Sequence, residues 1–247
     1  MSTESGSRVA IVTGGSRGIG RGIVRRLAAQ GYSIVVGYAS NAGEAAAAVG
    51  EALLAGGKAI AFQADVADET AVAAMFAEAE SQFGGIDVVV HSAAAAYAAP
   101  IADIDLGELD ALHRTNIRGP FVVAQQAARR VRRGGAIVLL SSSATVLITP
   151  SVGPYAASKA AVETIPLTLA RELRGKDVSV NAIAPGLTAT DMLYAVQTEE
   201  SLKEGAALSP YERIGQPDEI AALTAFLASP EGHWINGQTI HANGGIA

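Results

Sequence analysis

Tyr155 and Lys159, with Ser142 thirteen residues before the tyrosine, are the residues of this sequence that most directly suggest chemistry. Residues four apart lie on one face of a helix, one turn from each other. Free tyrosine has a pKa of about 10, and a lysine cation one turn away favours the phenolate and lowers that pKa. Reaching about 7 requires roughly 4 kcal/mol of differential stabilisation. The pair therefore predicts an acid/base catalyst for an alcohol or a carbonyl, although the same spacing also occurs on exposed helices.

A glycine-rich segment, residues 13–20, follows the first strand-like run and leads into a helical pattern. It reads Thr-Gly-Gly-Ser-Arg-Gly-Ile-Gly, with the useful glycines at 14, 18 and 20. Such glycines let the backbone turn sharply and approach a pyrophosphate at a helix N-terminus. The spacing is not G-x-G-x-x-G, and no Gly-Lys-Ser/Thr follows as in a mononucleotide P-loop. Its position favours a dinucleotide site, with an ordinary glycine turn as the alternative.

Strand-like and helix-like segments alternate along the chain. Apolar runs predict strands at 9–13, 34–37, 59–63, 87–91, 136–141, 178–183 and 238–241, and helical patterns cover 19–30, 41–55, 69–82, 106–132, 154–173 and 217–228. Most strand-like runs are continuously apolar, as expected for parallel strands that are buried on both faces. We predict one α/β domain over residues 1–247, a doubly wound Rossmann fold with a seven-stranded, mainly parallel sheet and helices on both faces. Residues 1–7 are expected to form a disordered tail.

Composition narrows the function classes. The 247 residues carry a net charge of −6 and contain no cysteine. The charge argues against a nucleic-acid-binding surface, and the missing cysteine excludes disulfides, thiolate metal sites and cysteine nucleophiles. No signal-peptide core precedes the first strand, and no apolar run approaches the roughly 20 residues that cross a bilayer. The four histidines show no ligand spacing, so no metal is expected. We expect a cytoplasmic protein that binds neither membrane nor nucleic acid.

Together these motifs resemble the short-chain dehydrogenase/reductase family, over about residues 8–245. The resemblance includes the glycine segment, Ser142 and Tyr155-x-x-x-Lys159. Further matches in the expected order are Asp65-Val66, Asn116, Ile-Val-x-x-Ser-Ser at 137–142, Asn-Ala-Ile-Ala-Pro-Gly at 181–186 and Trp-Ile-Asn-Gly-Gln at 234–238. The compact length and the motifs of the first half are similar to the 3-oxoacyl-carrier-protein reductase branch.

The resemblance implies a catalytic set of Asn116, Ser142, Tyr155 and Lys159. Tyr155 would give a proton to a carbonyl oxygen, or take it from an alcohol, and Ser142 would hold that oxygen. Lys159 would lower the pKa of Tyr155 and bind the nicotinamide ribose. Asn116 would hold a water through which Lys159 exchanges its proton. The structural alternatives are a solvated lysine, a capping or loop serine and an asparagine packed within its helix.

The sequence favours NADP(H), with NAD(H) as the alternative. NAD-preferring relatives place an acid at the end of the second strand, and residues 37–41 contain none. Arg17 could pair with a 2′-phosphate, although Ala39 stands where many NADP-dependent relatives have a basic residue or threonine. The expected cofactor contacts are Gly14, Ser16, Arg17, Gly18, Ile19, Gly20, Ser40, Asn41, Asp65, Val66, His91, Ala93, Tyr155, Lys159, Pro185, Gly186, Thr188 and Thr190.

Several positions have more than one possible role. Asp65 is expected to accept from the adenine amino group, or else to cap a helix. The family's Asn-Asn-Ala-Gly is replaced by His-Ser-Ala-Ala at 91–94, where the methyl of Ala94 could tighten the space beside the cofactor. His91 could contact the adenosine half or be structural. Pro166 should kink its helix after the catalytic turn.

The resulting functional prediction is an NADP(H)-dependent oxidoreductase that interconverts a carbonyl and a secondary alcohol. A non-catalytic dinucleotide-binding redox sensor or scaffold is the alternative, and an enoyl reductase fits less well because its relatives space tyrosine and lysine more widely. A lid over residues 188–211 is expected to cover a small-molecule substrate. The four arginines at 129–133 are expected to mark a helix C-terminus rather than a polyanion site. The resemblance also implies a homotetramer, or a dimer.

Overall fold

The computed structural model describes residues 7–195 and 198–247, so the expected tail lies outside the described residues except for the exposed Ser7. The strands are β1 (Val9–Thr13), β2 (Ser33–Tyr38), β3 (Lys58–Gln63), β4 (Val88–His91), β5 (Ala136–Leu140), β6 (Ser179–Pro185) and β7 (Thr239–Ala242). They form one sheet in the order β3-β2-β1-β4-β5-β6-β7, and each neighbouring pair is parallel. The predicted α/β class and seven-stranded sheet are confirmed, and the sheet is wholly rather than mainly parallel.

Helices cover both faces of this sheet. They are α1 (Gly18–Ala28), α2 (Ala42–Leu54), α3 (Glu69–Phe83), α4 (Leu106–His113), α5 (Gly119–Arg130), α6 (Ala144–Leu147), α7 (Gly153–Glu163), α8 (Ile165–Glu172), α9 (Asp191–Tyr194), α10 (Glu199–Ala207) and α11 (Pro217–Leu227). Buried side chains of α1, α2 and α11 pack on one face, and those of α3, α5, α7 and α8 pack on the other. None of the helices in the described ranges has the length and apolar character to cross a membrane.

Burial on both faces explains the continuously apolar strands. All five residues of β1 are buried, with Ala10 and Val12 in the cluster of one face and Val9 and Ile11 in that of the other. Successive strand residues point to opposite faces, so a strand covered on both sides must be apolar throughout. The chain crosses from β3 over to β4 on the far side of β1. The carboxyl ends of β1 and β4 therefore flank the crevice where doubly wound sheets bind ligands.

Two of the predicted helices are interrupted. The span 106–132 consists of α4, a five-residue π-helical turn (Arg114–Arg118) and α5, which ends at Arg130. The span 154–173 is divided at Thr164, as Pro166 predicted, because proline cannot donate the helical hydrogen bond to the carbonyl four residues earlier. The division falls after the turn with Tyr155 and Lys159, and those two residues remain within α7.

Candidate active site

A cavity of about 780 Å³ opens at the carboxyl ends of β1, β2, β4 and β5. Its walls are the glycine-rich loop, the end of β2, the start of α9 and the first two turns of α7. All but four of the residues expected to contact the cofactor line it, namely Gly14, Ser16, Arg17, Gly18, Ile19, Ser40, Asn41, Asp65, Val66, Ala93, Tyr155, Lys159, Pro185 and Thr190. The exceptions are Gly20, His91, Gly186 and Thr188.

Close backbone packing shapes the glycine loop. Gly14 has a φ of 64°, which favours glycine, and a Cβ there would lie 2.7 Å from the Cα of Ala93. A Cβ on Gly20 would lie 2.1 Å from the carbonyl oxygen of Gly14. Gly20 therefore does not face the cavity but allows α1 to approach the loop. The loop leads directly into the N-terminus of α1, which can bind an anion.

Gly20→Ala is expected to weaken dinucleotide binding about 5- to 150-fold, because overpacking of this kind displaces the loop backbone and costs about 1–3 kcal/mol. Titration calorimetry measures the Kd, and thermal unfolding reports the accompanying loss of stability. The matched control is Gly50→Ala in α2, where an added Cβ meets nothing within 4 Å. Equal affinity of Gly20→Ala and wild type would contradict the role given to this close contact.

Lys159 lies deep in the wall of the cavity. Its side chain is 3% exposed, and its ammonium Nζ donates to the carbonyl oxygen of Leu140 at 2.9 Å. Nζ is also 5.8 Å from the centroid of the Tyr155 ring. Burial lowers the pKa of Lys159 to about 8. The solvated-lysine alternative is therefore wrong, and the charge of this lysine is held in the protein interior.

The pKa of Tyr155 is shifted in the opposite direction to the one that the sequence predicted. Burial raises the pKa of its phenol, and the nearby Ser142 side chain lowers that pKa by less. The expected lowering by Lys159 is not among the causes of this shift. The physical reason is that taking a phenolate out of water is more unfavourable than one nearby hydroxyl is favourable. The phenol is thus protonated at neutral pH.

Ser142 and Asn116 approach α7 from two different elements. Ser142 follows β5, and its Oγ accepts from the backbone N–H of Ala144 at 3.2 Å. Asn116 is buried in the π-helical turn, where Nδ2 donates to the carbonyl oxygen of Ala95 at 2.9 Å and to Ser158 Oγ at 3.0 Å.

Asn116 is linked to the backbone of Tyr155 through one serine. Ser158 Oγ donates to the carbonyl oxygen of Tyr155 at 2.7 Å, and Asn116 Oδ1 accepts from the N–H of Ala95 at 2.8 Å. Both ends of the asparagine amide are therefore engaged. Asn116 is not simply packed within its own helix, since it ties the first turn of α7 to the segment after β4.

Arg17 is an exposed cation at the cavity wall. Its side chain lines the cavity and makes no hydrogen bond or ion pair within the described parts of the chain. Arg21, one turn later in α1, is by contrast held by Glu44 and Glu51 at 2.7 and 2.8 Å. Asn41 also lines the cavity, although its Oδ1 caps α2 by accepting from the N–H of Glu44.

Asp65 is held in the cavity wall by two partners. Oδ1 accepts from the N–H of Ala67 at 2.9 Å, and Oδ2 forms an ion pair with Arg114. Burial raises its pKa, but these two contacts outweigh burial and leave the pKa below its ordinary value. The alternative of a helix cap is wrong, because Asp68 caps α3. The pair with Arg114 had no sequence signal, since the two residues are 49 apart.

His91 does not reach the cavity, which corrects the expected cofactor contact. Its side chain is 1% exposed, lies on the same face of the sheet as Val89 and is not among the residues that line the cavity. Nδ1 is 2.9 Å from Thr13 Oγ1. Burial, together with the charge of Lys159, lowers its pKa to about 3, so it is neutral. The structural alternative for His91 agrees with these contacts.

The residues that follow β6 do not all line the same cavity. Gly186 lines a second cavity of about 590 Å³, between α10 and the C-terminal residues 241–246. Thr188 is buried, and its Oγ1 donates to the carbonyl oxygen of Gly186. Neither residue lines the first cavity, contrary to expectation. Residues 196–197 of the expected lid lie outside the described residues.

Ala94, expected beside the cofactor, and Asp191 and Met192 of the expected lid also line the cavity, whereas Ser92, Thr115 and Ser141 were not anticipated from the sequence. Ser92 comes directly after β4, where the rule that ligands bind at the carboxyl ends of strands could have indicated it. Thr115 comes from the π-helical turn, for which the sequence offers no signal. Within the described ranges, no three His, Cys, Asp or Glu side chains are grouped closely enough to hold a metal ion.

Comparison with known proteins agrees with this geometry. A family model described as enoyl-(acyl carrier protein) reductase matches residues 14–247. A short-chain type dehydrogenase/reductase of Picea abies is 42% identical over 97% of this chain and 92% of its own length. The 3-oxoacyl-[acyl-carrier-protein] reductase FabG of Staphylococcus aureus is 41% identical over 97% and 98%. A short chain dehydrogenase of Burkholderia cenocepacia, solved in complex with NADP, superposes with a TM-score of 0.91 at 38% identity over 97% of each chain.

Proposed function

The chain belongs to the short-chain dehydrogenase/reductase family, and we propose that it is an NADP(H)-dependent oxidoreductase that interconverts a carbonyl and a secondary alcohol. One observation carries the proposal. Tyr155 and Lys159 line the same cavity as the glycine loop. The FabG relative, named as a 3-oxoacyl reductase, and the neighbour solved with NADP support the same chemistry.

In the proposed reduction, Tyr155 is the proton donor. Its raised pKa keeps the phenol protonated at neutral pH, so its O–H can donate to a substrate carbonyl oxygen. Ser142 Oγ donates a second hydrogen bond to that oxygen as negative charge develops there. The buried ammonium of Lys159 then stabilises the phenolate that remains. In alcohol oxidation the proton returns to Tyr155.

The residues around the cavity fit a nicotinamide dinucleotide phosphate. The bound cofactor supplies the hydride, and the protein supplies orientation and proton transfer. An added Cβ at Gly14 or Gly20 would collide with backbone, so this loop provides the close approach that a pyrophosphate needs. The exposed guanidinium of Arg17, which lines the cavity, matches a 2′-phosphate. Asn116, through Ser158, would steady the turn of α7 that carries Tyr155.

A carbonyl panel with NADPH tests the function. Absorbance at 340 nm would be followed with neutral ketones, aldehydes, quinones and 3-oxoacyl thioesters, and we expect turnover with at least one class. A 2-enoyl thioester in the same panel tests the enoyl reductase activity that the matching family model describes. Tight NADPH binding without turnover of any carbonyl would favour the redox sensor or scaffold instead.

Arg17→Ala is expected to lower kcat/KM for NADPH by about 10- to 100-fold and to leave NADH almost unchanged, because one charge-assisted contact contributes about 1.5–3 kcal/mol. Steady-state rates with both cofactors measure the ratio. Arg26→Ala is the matched control, since Arg26 is an exposed arginine of α1, the helix that follows Arg17, and lies outside the cavity. A wild-type preference for NADH would show that the cofactor assignment is wrong.

We also propose a homotetramer in the cytoplasm. Phe121 on α5 is 51% exposed, and Trp234, next to the edge strand β7, is 98% exposed. The family resemblance implies assembly through the long fourth and fifth helical segments and the region of the C-terminal strand, and these two apolar side chains lie there. Light scattering measures the mass in solution, and a monomer at micromolar concentration would contradict the tetramer.

A further inference from the structure

Glu163 extends the catalytic face of α7 by one more turn. Tyr155, Lys159 and Glu163 are spaced four apart, so they follow one another along one side of the helix. Glu163 is partly buried at the end of α7, and within the described ranges it has no basic partner. A carboxylate in this setting depends on hydrogen-bond donors rather than on an opposite charge.

Both donors to Glu163 come from the turn that carries Ser142. Glu163 Oε1 accepts from Ser141 Oγ at 2.7 Å and is 3.0 Å from Thr145 Oγ1. Thr145 Oγ1 is also 2.9 Å from the carbonyl oxygen of Ser142. One carboxylate oxygen therefore holds the residue before Ser142 and the residue three after it. Hydrogen bonds to an ionised acceptor are roughly twice as strong as neutral ones.

We propose that Glu163 is a positioning residue that holds the Ser142 turn against α7, so that Ser142 Oγ stays beside Tyr155. The inference rests on the proposed function, in which Ser142 and Tyr155 both bind the reacting oxygen. Glu163 itself does not line the cavity and would touch neither substrate nor cofactor. It acts through Ser141 and Thr145.

The kinetic test compares Glu163→Leu, which removes the acceptor at similar size, with Glu163→Gln, which keeps an acceptor oxygen. Loss of one oxyanion donor reduces kcat by 10²–10³, so a displaced Ser142 should lower kcat by at least about tenfold in Glu163→Leu. Glu163→Gln should stay within about threefold of wild type, since the amide oxygen still accepts. The Kd for NADPH should not change in either variant. Glu172→Leu, an exposed glutamate of α8, is the matched control.

A double-mutant cycle separates positioning from general damage. If Glu163 acts through Ser142, then Glu163→Leu should change kcat by less than about twofold once Ser142→Ala is present, because coupled residues are not additive. Equal fractional losses of kcat in the wild-type and Ser142→Ala backgrounds would overturn the proposal.

Titration of Tyr155 gives a second readout that needs no turnover. Tyrosinate absorbance of each variant, minus that of the same variant with Tyr155→Phe, reports the Tyr155 midpoint. Since the Ser142 side chain beside Tyr155 lowers the pKa of the phenol, Glu163→Leu should raise the midpoint as much as Ser142→Ala does, and Glu163→Gln should not. An unchanged midpoint in Glu163→Leu would refute the positioning role, even if no carbonyl substrate were turned over. A raised midpoint without any turnover would leave the positioning role intact and refute only the proposed function.

Discussion

Tyr155→Phe is expected to lower kcat for carbonyl reduction by about 10³-fold, within the range of general acid catalysis, while the Kd for NADPH stays nearly unchanged. The ring of Phe fills the same space beside Lys159, but no proton can pass to the substrate oxygen. The remaining hydrogen bond from Ser142 cannot neutralise the alkoxide that would form. Single-turnover rates at 340 nm, with titration calorimetry for NADPH, distinguish lost chemistry from lost binding.

The control for this variant is Tyr32→Phe, which makes the same chemical change far from the cavity. The Tyr32 hydroxyl accepts from Arg8 at 2.8 Å and lies 3.4 Å from the carbonyl oxygen of Ala228. Its removal should reduce stability by about 1 kcal/mol and leave kcat unaltered. Full activity of Tyr155→Phe would falsify the assignment of Tyr155 as the proton donor.

Lys159→Met is expected to lower kcat by at least about 10²-fold and yet to stabilise the folded protein at pH 7. Burial lowers the pKa of Lys159 from 10.5 to about 8, which corresponds to about 3 kcal/mol of destabilisation of the folded state while the lysine is charged. Methionine removes that penalty, whereas the carbonyl of Leu140 loses its donor at a cost of about 1 kcal/mol. Urea unfolding should therefore show a net gain of about 2 kcal/mol.

The sign of the pH dependence follows from the same lowered pKa. The pKa of Lys159 is about 8 in the folded protein and 10.5 in the unfolded chain. Between pH 8 and pH 10.5 the unfolded chain therefore binds more protons than the folded protein, and the stability of the wild type rises with pH. The gain in stability from Lys159→Met is thus largest below pH 8 and becomes smaller as the pH rises above 8. Lys58→Met, at an exposed lysine, should show no such change. If the difference in unfolding free energy between Lys159→Met and wild type stays constant across pH 7–10, Lys159 is not the group that titrates.

These two variants together would separate the proposed enzyme from the binding-protein alternative. A sensor or scaffold would keep its function in Tyr155→Phe, because the phenolic proton has no role in binding alone. The same protein would simply become more stable in Lys159→Met. An enzyme of the proposed kind loses turnover in both variants, and it retains a buried lysine that reduces its stability because catalysis requires the charge at that place.

The strands were the most predictable part of the fold. Each apolar run coincides with a strand to within two residues, because burial on both faces is visible in composition alone. The glycine segment was equally informative, since its glycines are needed for local turns and for close backbone approach. Among the long helices, the break before Pro166 was predicted from one residue type. The π-helical turn around Asn116 had no comparable sequence signal.

The sequence by itself determined the order of strands and helices, the dinucleotide-type loop and the helical face shared by Tyr155 and Lys159. All of these depend on residue types and on spacings of a few positions. The tertiary structure alone decided that burial raises the pKa of Tyr155, that His91 is buried without lining the cavity and that Glu163 holds the Ser142 turn. Those outcomes depend on desolvation and on contacts between residues far apart in the chain, and no local pattern encodes how deeply a side chain is buried or which distant group it meets.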